Sequence, residues 1–166
     1  MYQVSKRTVE IIKALAPPHH PTVRAPSTYA ELVEVWNRAQ PADKRGFGCG
    51  SLPVFSGNCE RTIYGSREAN WAFRAWHDRL HVQLQAGFDR VGEERVARSQ
   101  VMELERAGAD ESDVLAVWYD VAGQFLYAER FGGFPEDQAS FVALCMLAGI
   151  DTALRDGVRF RPQVAA

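Results

Sequence analysis

The sequence predicts a mainly α-helical protein, a bundle of four to five helices with a Gly/Pro-rich irregular segment near residues 41–67. Three observations support this fold class. Apolar residues recur at the helical period over most of the chain after that segment. Gly and Pro residues stop each periodic stretch, and Ser or Asp residues stand where helices would begin. The connections are short, so consecutive helices should pack as antiparallel neighbours.

The 166 residues are expected to form one helical domain, with residues 1–26 and 158–166 peripheral to it. A short apolar stripe predicts a helix over residues 5–15. The prolines of APPHHPTVRAP then exclude helix. Ser27 is a suitable N-cap for a helix over residues 28–39.

The glycine-rich segment of residues 41–67 contains short apolar pairs, which indicate an irregular loop with a short hairpin. Two helices follow. The first should cover residues 68–86, after the cap Ser66, and the second residues 90–107, after the cap Asp89.

The last part of the chain predicts two further helices. One covers residues 111–131 and is stopped by two glycines. Pro135, at a position that proline favours, opens the other over residues 136–156.

Composition limits the classes of function. The net charge of −2 gives no electrostatic case for nucleic acid as the main partner, and no apolar run approaches the length that spans a membrane. Cys49, Cys59 and Cys145 form no CxxC pair, and an odd count without a secretory signal indicates reduced thiols in a cytoplasm. A zinc clip between Cys49 and Cys59 is an open alternative.

The stretch FRAWHDRLHVQL, Phe73 to Leu84, carries the main chemical signal. His77 and His81 lie four residues apart on the apolar stripe of their helix, which also carries Asn70. Side chains at this spacing are neighbours, so both imidazoles can reach one ion. The pattern therefore predicts a divalent metal site, with Zn²⁺ as the expected ion.

A metal needs further ligands, and the next helix supplies candidates. Because the connection near Gly87 is short, Glu93 should lie level with His81. Glu93 is the expected third ligand, and Glu94 is the reserve at the edge of the same face.

Three residues are candidates for catalysis if the site is that of a hydrolase. Asp78 or Glu94 would handle the proton, and Arg74 could hold an anionic group of a substrate. Asp78 and Arg74 could equally pair with each other on the surface. The sequence does not identify the substrate beyond a small molecule or a peptide, nor the oligomeric state.

A structural interpretation competes with the metal site. The histidines, Asn70, Glu93 and Gln100 could form a buried polar network in a helical protein that is not an enzyme and binds another protein. Glu129 and Asp151 also fall on apolar stripes, where either could complete a site or cap a helix.

Two enzyme families share parts of this motif. HDRLH followed by GEERVA resembles the HExxH…E pattern of zinc metallopeptidases, which implies zinc on His77, His81 and Glu93 with Asp78 as the base. In that family a glutamate stands at the base position, and the spacing to the third ligand is longer. AWHDRLH also resembles the HD run of HD-type phosphohydrolases, which implies metal on an adjacent His–Asp pair and on a later aspartate. Asp120 is placed by the helical period on the polar side of its helix.

The longer run IYGSREANWAFRAWHDRLH…FDRVGEERVARSQ, Ile63 to Gln100, resembles small bacteriophage proteins with no assigned activity. This resemblance implies expression in the cytoplasm of a bacterial host. There the non-enzymatic alternative would be a phage factor that binds a host protein.

Overall fold

The computed structural model describes residues 2–39 and 50–160, and the predicted mainly α-helical class is confirmed. The elements in chain order are α1 (Lys6–Leu15), β1 (His19–Thr22), α2 (Tyr29–Ala39), β2 (Leu52–Phe55), α3 (Arg67–Leu84), α4 (Arg90–Arg106), α5 (Glu111–Trp118), a π turn (Tyr119–Gly123), α6 (Gln124–Phe131), α7 (Gln138–Ala148), α8 (Ile150–Arg155) and a 3-10 turn (Gly157–Phe160).

Two helices that the sequence predicts as continuous are interrupted. The π turn divides the predicted helix of residues 111–131 into α5 and α6. Gly149 divides the predicted helix of residues 136–156 into α7 and α8, because its φ of +81° cannot continue a helix.

Side-chain caps fix where the helices begin. Ser66 and Asp89 cap α3 and α4 as predicted, accepting hydrogen bonds from the third backbone N–H that follows. At α2 the cap is Thr28 rather than Ser27, since Thr28 and Glu31 form a reciprocal capping box. At α7 it is Asp137, two residues after the predicted opening at Pro135.

The hairpin expected within residues 41–67 is not formed by the described part of that segment. β2 instead pairs in parallel with β1, in a register that aligns His19 with Leu52 and Thr22 with Phe55. Within the described residues the sheet has two strands, and the prolines in both of them are tolerated because each strand is an edge strand. This pairing joins segments about 30 residues apart in the chain, which a local pattern does not reveal.

The N-terminal segment is part of the core rather than peripheral. Ile12 of α1 is fully buried, and α1 packs against α3. Residues 158–160 lie in the 3-10 turn, where Phe160 meets the ring of Phe141 at 5.6 Å between centroids, and residues 161–166 fall outside the described part. The largest core side chains are Trp76, Tyr127 and Phe141.

Polar side chains line the buried stripe of the α5–α6 segment. Asp113 accepts hydrogen bonds from Tyr2, Ser5 and Thr8, which tie the N-terminus to α5. Asp120 in the π turn accepts from the Tyr64 hydroxyl at 2.7 Å and from the Gln124 amide. The expectation that Asp120 lies on the polar side of its helix is therefore wrong: Tyr64, remote in the chain, and Gln124, one turn further on, satisfy its carboxylate inside the protein.

Burial raises the pKa of the Asp120 carboxyl to about 7, against the hydrogen bonds from Tyr64 and Gln124 and the charge of Arg74, which lower it. A carboxyl with a raised folded pKa is most stabilising below its unfolded pKa of about 4, and that contribution is lost as the pH rises to 7. We predict that Asp120→Asn gains stability relative to wild type between pH 5 and pH 8. The relative gain should be about 1–3 kcal/mol, a melting-temperature difference of several degrees.

Thermal unfolding of both proteins at pH 5 and pH 8 measures this gain. Asp151→Asn is the control, because it makes the same substitution at an aspartate that is exposed on α8. A constant difference between Asp120→Asn and wild type across this range would contradict the prediction.

Candidate metal centre

The packing of α4 against α3 forms the centre. The connection between them is only Gln85 to Asp89, so the chain reverses at once. Contacts then run in opposite directions along the two helices. Glu93 lies beside His81, Gln100 beside His77, and Glu103 beside Trp76. The predicted antiparallel arrangement, with Glu93 level with His81, is confirmed by these contacts.

Three side chains converge at this level. The Nε2 atoms of His77 and His81 are 2.9 Å apart. One carboxylate oxygen of Glu93 lies 3.4 Å from the Nε2 of His77, and the other lies 3.4 Å from the Nε2 of His81. The predicted trio of His77, His81 and Glu93 is therefore brought together, with its potential ligand atoms within 4.8 Å of one another.

These separations suit a small divalent cation. Zinc–nitrogen and zinc–oxygen bonds of about 2.0–2.2 Å at tetrahedral angles put ligand atoms about 3.3 Å apart. The two Nε2–carboxylate distances already match this spacing, and the Nε2–Nε2 distance needs to open by a few tenths of an ångström. His81 is fully buried, whereas the side chains of His77 and Glu93 keep 19% and 14% exposure, so the site opens to solvent on their side.

The hydrogen bonds on the far side of each ring decide which nitrogen faces the centre. The Nδ1 of His81 lies 3.0 Å from the carbonyl oxygen of Ala86, which can only accept, so Nδ1 carries a proton. When the ring of His81 is neutral, its Nε2 therefore carries a lone pair, which is directed at His77. The Nδ1 of His77 faces the Gln100 side-chain oxygen at 3.5 Å, which favours the same tautomer.

Two nitrogen lone pairs at 2.9 Å repel each other, so with both rings in this tautomer a positive charge, either a proton or a cation, is needed between them. A proton on His81 meets this need in the metal-free protein. Its N–H then points at the lone pair of His77 and at the Glu93 carboxylate. A divalent cation would meet the same need with a larger charge.

The pKa directions agree with this charge distribution. Burial lowers the pKa of His77 to about 4, against the charge of Glu93. Burial also acts to lower the pKa of His81, but its hydrogen bond and charge interaction with Glu93 outweigh this and raise it. For Glu93, burial acts to raise the pKa, and the two histidines outweigh it, so the pKa is lowered. The directions of these pKa shifts favour the protonated form of His81, the ionised form of Glu93 and the neutral form of His77.

Asp78 follows His77 and lies at the edge of the centre. Burial raises the pKa of its carboxyl to about 7, while Glu93 raises it further and His81 and Arg74 lower it. Within the described part of the chain, no hydrogen bond holds this carboxylate. It is therefore a half-buried carboxyl that can take up or release a proton near neutral pH.

The other predicted site residues have partners elsewhere. The guanidinium of Arg74 donates to the backbone carbonyls of Phe55, Gly57 and Asn58, and so fixes the segment after β2 instead of facing an anion. Glu94 is exposed and pairs with Arg98 at 2.6 Å, one turn along α4. The arrangement does not support the predicted roles of Arg74 and Glu94.

Asn70 does not join the histidines, because its amide donates to the Cys59 sulfur at 3.2 Å. The proposed Cys49–Cys59 zinc clip involves Cys49, which lies outside the described residues. Glu129 is exposed and pairs with Arg90, and Asp151 is exposed in the first turn of α8. Asp120, the later aspartate suggested by the phosphohydrolase resemblance, is bound by Tyr64 and Gln124 instead of joining the trio.

The structure requires a glycine at position 92, which the sequence pattern did not predict. It lies in the first turn of α4, just before Glu93, and a Cβ at this position would lie 1.9 Å from the backbone oxygen of Gly87. The backbone of the first turn of α4 therefore approaches the connecting segment more closely than any side chain at position 92 would permit. The only signal in the sequence is a glycine in the first turn of a helix, where helix propensity alone disfavours it.

Comparison with protein-family models, curated proteins and solved structures gives no match to this chain. Among the described residues, no helix is long and apolar enough to cross a bilayer.

The contact at Gly92 generates a test of how Glu93 is positioned. We predict that Gly92→Ala destabilises the protein by about 1–3 kcal/mol and displaces the first turn of α4. Because Glu93 then moves away from His81, the pKa of His81 should fall, since burial remains and its opposing carboxylate is weakened. NMR titration of the histidine rings measures that pKa.

Gly87→Ala is the matched control at the other side of the same contact. Its Cβ would meet Asp89 at 3.6 Å, an ordinary van der Waals distance, so stability and the His81 titration should stay close to wild type. An unchanged His81 pKa in Gly92→Ala would show that this contact does not position Glu93.

Proposed function

We propose that this protein binds one divalent cation, zinc by preference, through the Nε2 atoms of His77 and His81 and the carboxylate of Glu93. The observation that carries the proposal is the convergence of these three groups from two helices at separations close to those of zinc ligands. Two imidazoles and one carboxylate form a ligand combination that zinc accepts. Three protein ligands would leave one coordination position, on the side where His77 and Glu93 reach solvent.

We infer that the chemistry of the site is hydrolytic. A bound zinc ion would act as a Lewis acid and bring the pKa of a coordinated water close to 7. The protein supplies the remaining parts. The Ala86 carbonyl holds the ring of His81, Glu93 bridges the two rings, and Asp78 offers a carboxylate that can accept a proton near neutral pH. The substrate class is left open by these residues.

A structural role for the same residues is the second candidate. It is favoured by the complete burial of His81, whose two ring nitrogens both have partners within the protein. In that case the proton on His81 is the permanent occupant of the centre, and zinc has no effect on the protein.

Metal binding separates the two candidates. We predict about one equivalent of zinc per chain by elemental analysis, and a rise in melting temperature on adding zinc. At a zinc concentration of 100 times Kd this corresponds to about 2.7 kcal/mol of stabilisation. Because the raised pKa of His81 strengthens the competition of a proton with the ion, the zinc-dependent stabilisation should weaken as the pH falls.

Matched variants locate the site. Glu93→Gln and His81→Ala should lose stoichiometric zinc, an effect larger than the roughly 10–100-fold loss typical of groups behind the ligands. The neighbouring Glu94→Gln and the exposed His20→Ala should bind like wild type. Zinc below about a tenth of an equivalent, with no thermal shift in wild type, would leave the structural role as the explanation.

Hydrolysis is tested separately from binding. We predict zinc-dependent cleavage of at least one probe in a panel of nitrophenyl esters and phosphate esters. Asp78→Asn should slow this cleavage by about 100-fold or more, the usual contribution of a general base, while zinc affinity stays near that of wild type. Glu94→Gln, the other base suggested by the sequence, is the control and should keep full activity. Equal rates for Asp78→Asn and wild type would remove Asp78 from the mechanism.

A further inference from the structure

Gln100 is the buried polar residue of this region whose hydrogen bonding is incomplete. Its side chain is fully buried on α4, beside His77. The amide oxygen faces the Nδ1 of His77 at 3.5 Å, and the amide nitrogen has no hydrogen-bond partner among residues 2–39 and 50–160. A buried amide with an unsatisfied N–H group costs about 1–3 kcal/mol, so a helix that needs only packing at this position would favour an apolar residue.

The orientation of the amide determines which nitrogen of His77 is available. With the oxygen towards the ring, Gln100 accepts the Nδ1–H of His77, and the Nε2 lone pair faces His81 and Glu93. If the amide were reversed, its NH₂ would donate to Nδ1. The ring proton would then sit on Nε2 and point into the centre, where it would block a cation.

We propose that Gln100 is a positioning residue of the metal centre, which fixes His77 in the tautomer and ring orientation that present Nε2 to the ion. This inference rests on the proposed function, since it concerns the same site. It follows from the directions of hydrogen bonds in the structure. The unsatisfied amide N–H is retained because an apolar side chain would leave the His77 ring without an acceptor at Nδ1.

His81 shows the same arrangement through a different acceptor. Its Nδ1–H is accepted by the Ala86 carbonyl at 3.0 Å, a backbone group that no substitution removes. His77 has no backbone carbonyl in that position and depends on the side chain of Gln100. The two ligands thus differ in the group that holds their ring. A backbone carbonyl holds the ring of His81, whereas a side chain that mutation can replace holds the ring of His77.

Zinc affinities of three variants, measured at pH 8 with a competing chromophoric chelator, test the proposal. Gln100→Met keeps the volume and removes the acceptor, and it should bind zinc about 10–100-fold more weakly. Gln100→Glu restores an acceptor with a negative charge, and it should bind at least as tightly as wild type. Gln124→Met, which removes a buried amide bonded to Asp120, should leave zinc affinity unchanged.

The stability of the metal-free variants should follow a different order. Gln100→Glu adds a buried carboxylate, so it should be the least stable without zinc while it binds zinc well. A purely structural role would make zinc affinity follow stability in all three variants. Wild type provides a measurement that needs no variant. In ¹⁵N spectra of the zinc-bound protein, the Nδ1 of His77 should carry a slowly exchanging proton, and Nε2 should carry the metal shift.

The outcomes distinguish this proposal from the proposed function. If wild type binds no zinc, both are wrong. If wild type binds zinc but Gln100→Met binds equally well, or His77 binds through Nδ1, only the role of Gln100 is overturned. Weak binding by Gln100→Glu at the level of Gln100→Met would also overturn it, because the acceptor alone would then not matter.

Discussion

The close packing of α4 against α3 is the constraint on which the rest of the site depends. The turn between them spans five residues, and the first turn of α4 packs back on this turn where Gly92 lies against Gly87. This contact sets the level at which α4 begins its first turn. Glu93 is carried with it into reach of both histidines, and Gln100, two turns later, reaches the far side of His77. One backbone contact thus positions one ligand and one supporting residue.

The charge of the centre follows from this packing. The side chains of His77, His81 and Glu93 are removed from water together. The charge of each must therefore be compensated by the other two. The carboxylate favours the protonated form of His81, and burial keeps His77 neutral by lowering its pKa to about 4. A cation that replaces the proton keeps every hydrogen bond on the outer side of the rings. This is why the same geometry suits either a metal centre or a polar network, and why binding must decide between them.

Local features of the sequence predicted more than the remote ones. The helix class, the caps at Ser66 and Asp89, and the trio of His77, His81 and Glu93 depend on residues close in the chain. The contacts of Arg74, Asn70 and Asp120 with Gly57, Cys59 and Tyr64 were not predicted, because these partners lie outside the helix of each residue and hydrophobic periodicity does not identify them. The position of Glu94 was open to local inference, since Arg98 lies at the i+4 spacing of a helical ion pair.

The parallel pairing of β1 and β2 has a consequence for the order of folding. The helical contacts around α3 and α4 are local and can form early, whereas this pairing must first close a loop of about 30 residues. The buried side chains held with it form a small cluster separate from the main core: Leu32, Leu52, Val54 and Ala75. We therefore expect the β1–β2 pairing to assemble late and the two strands to exchange their amide hydrogens sooner than α3 and α4. Phe88 packs on this cluster and on the ring of His81. Opening of the cluster would therefore affect the candidate metal centre through Phe88.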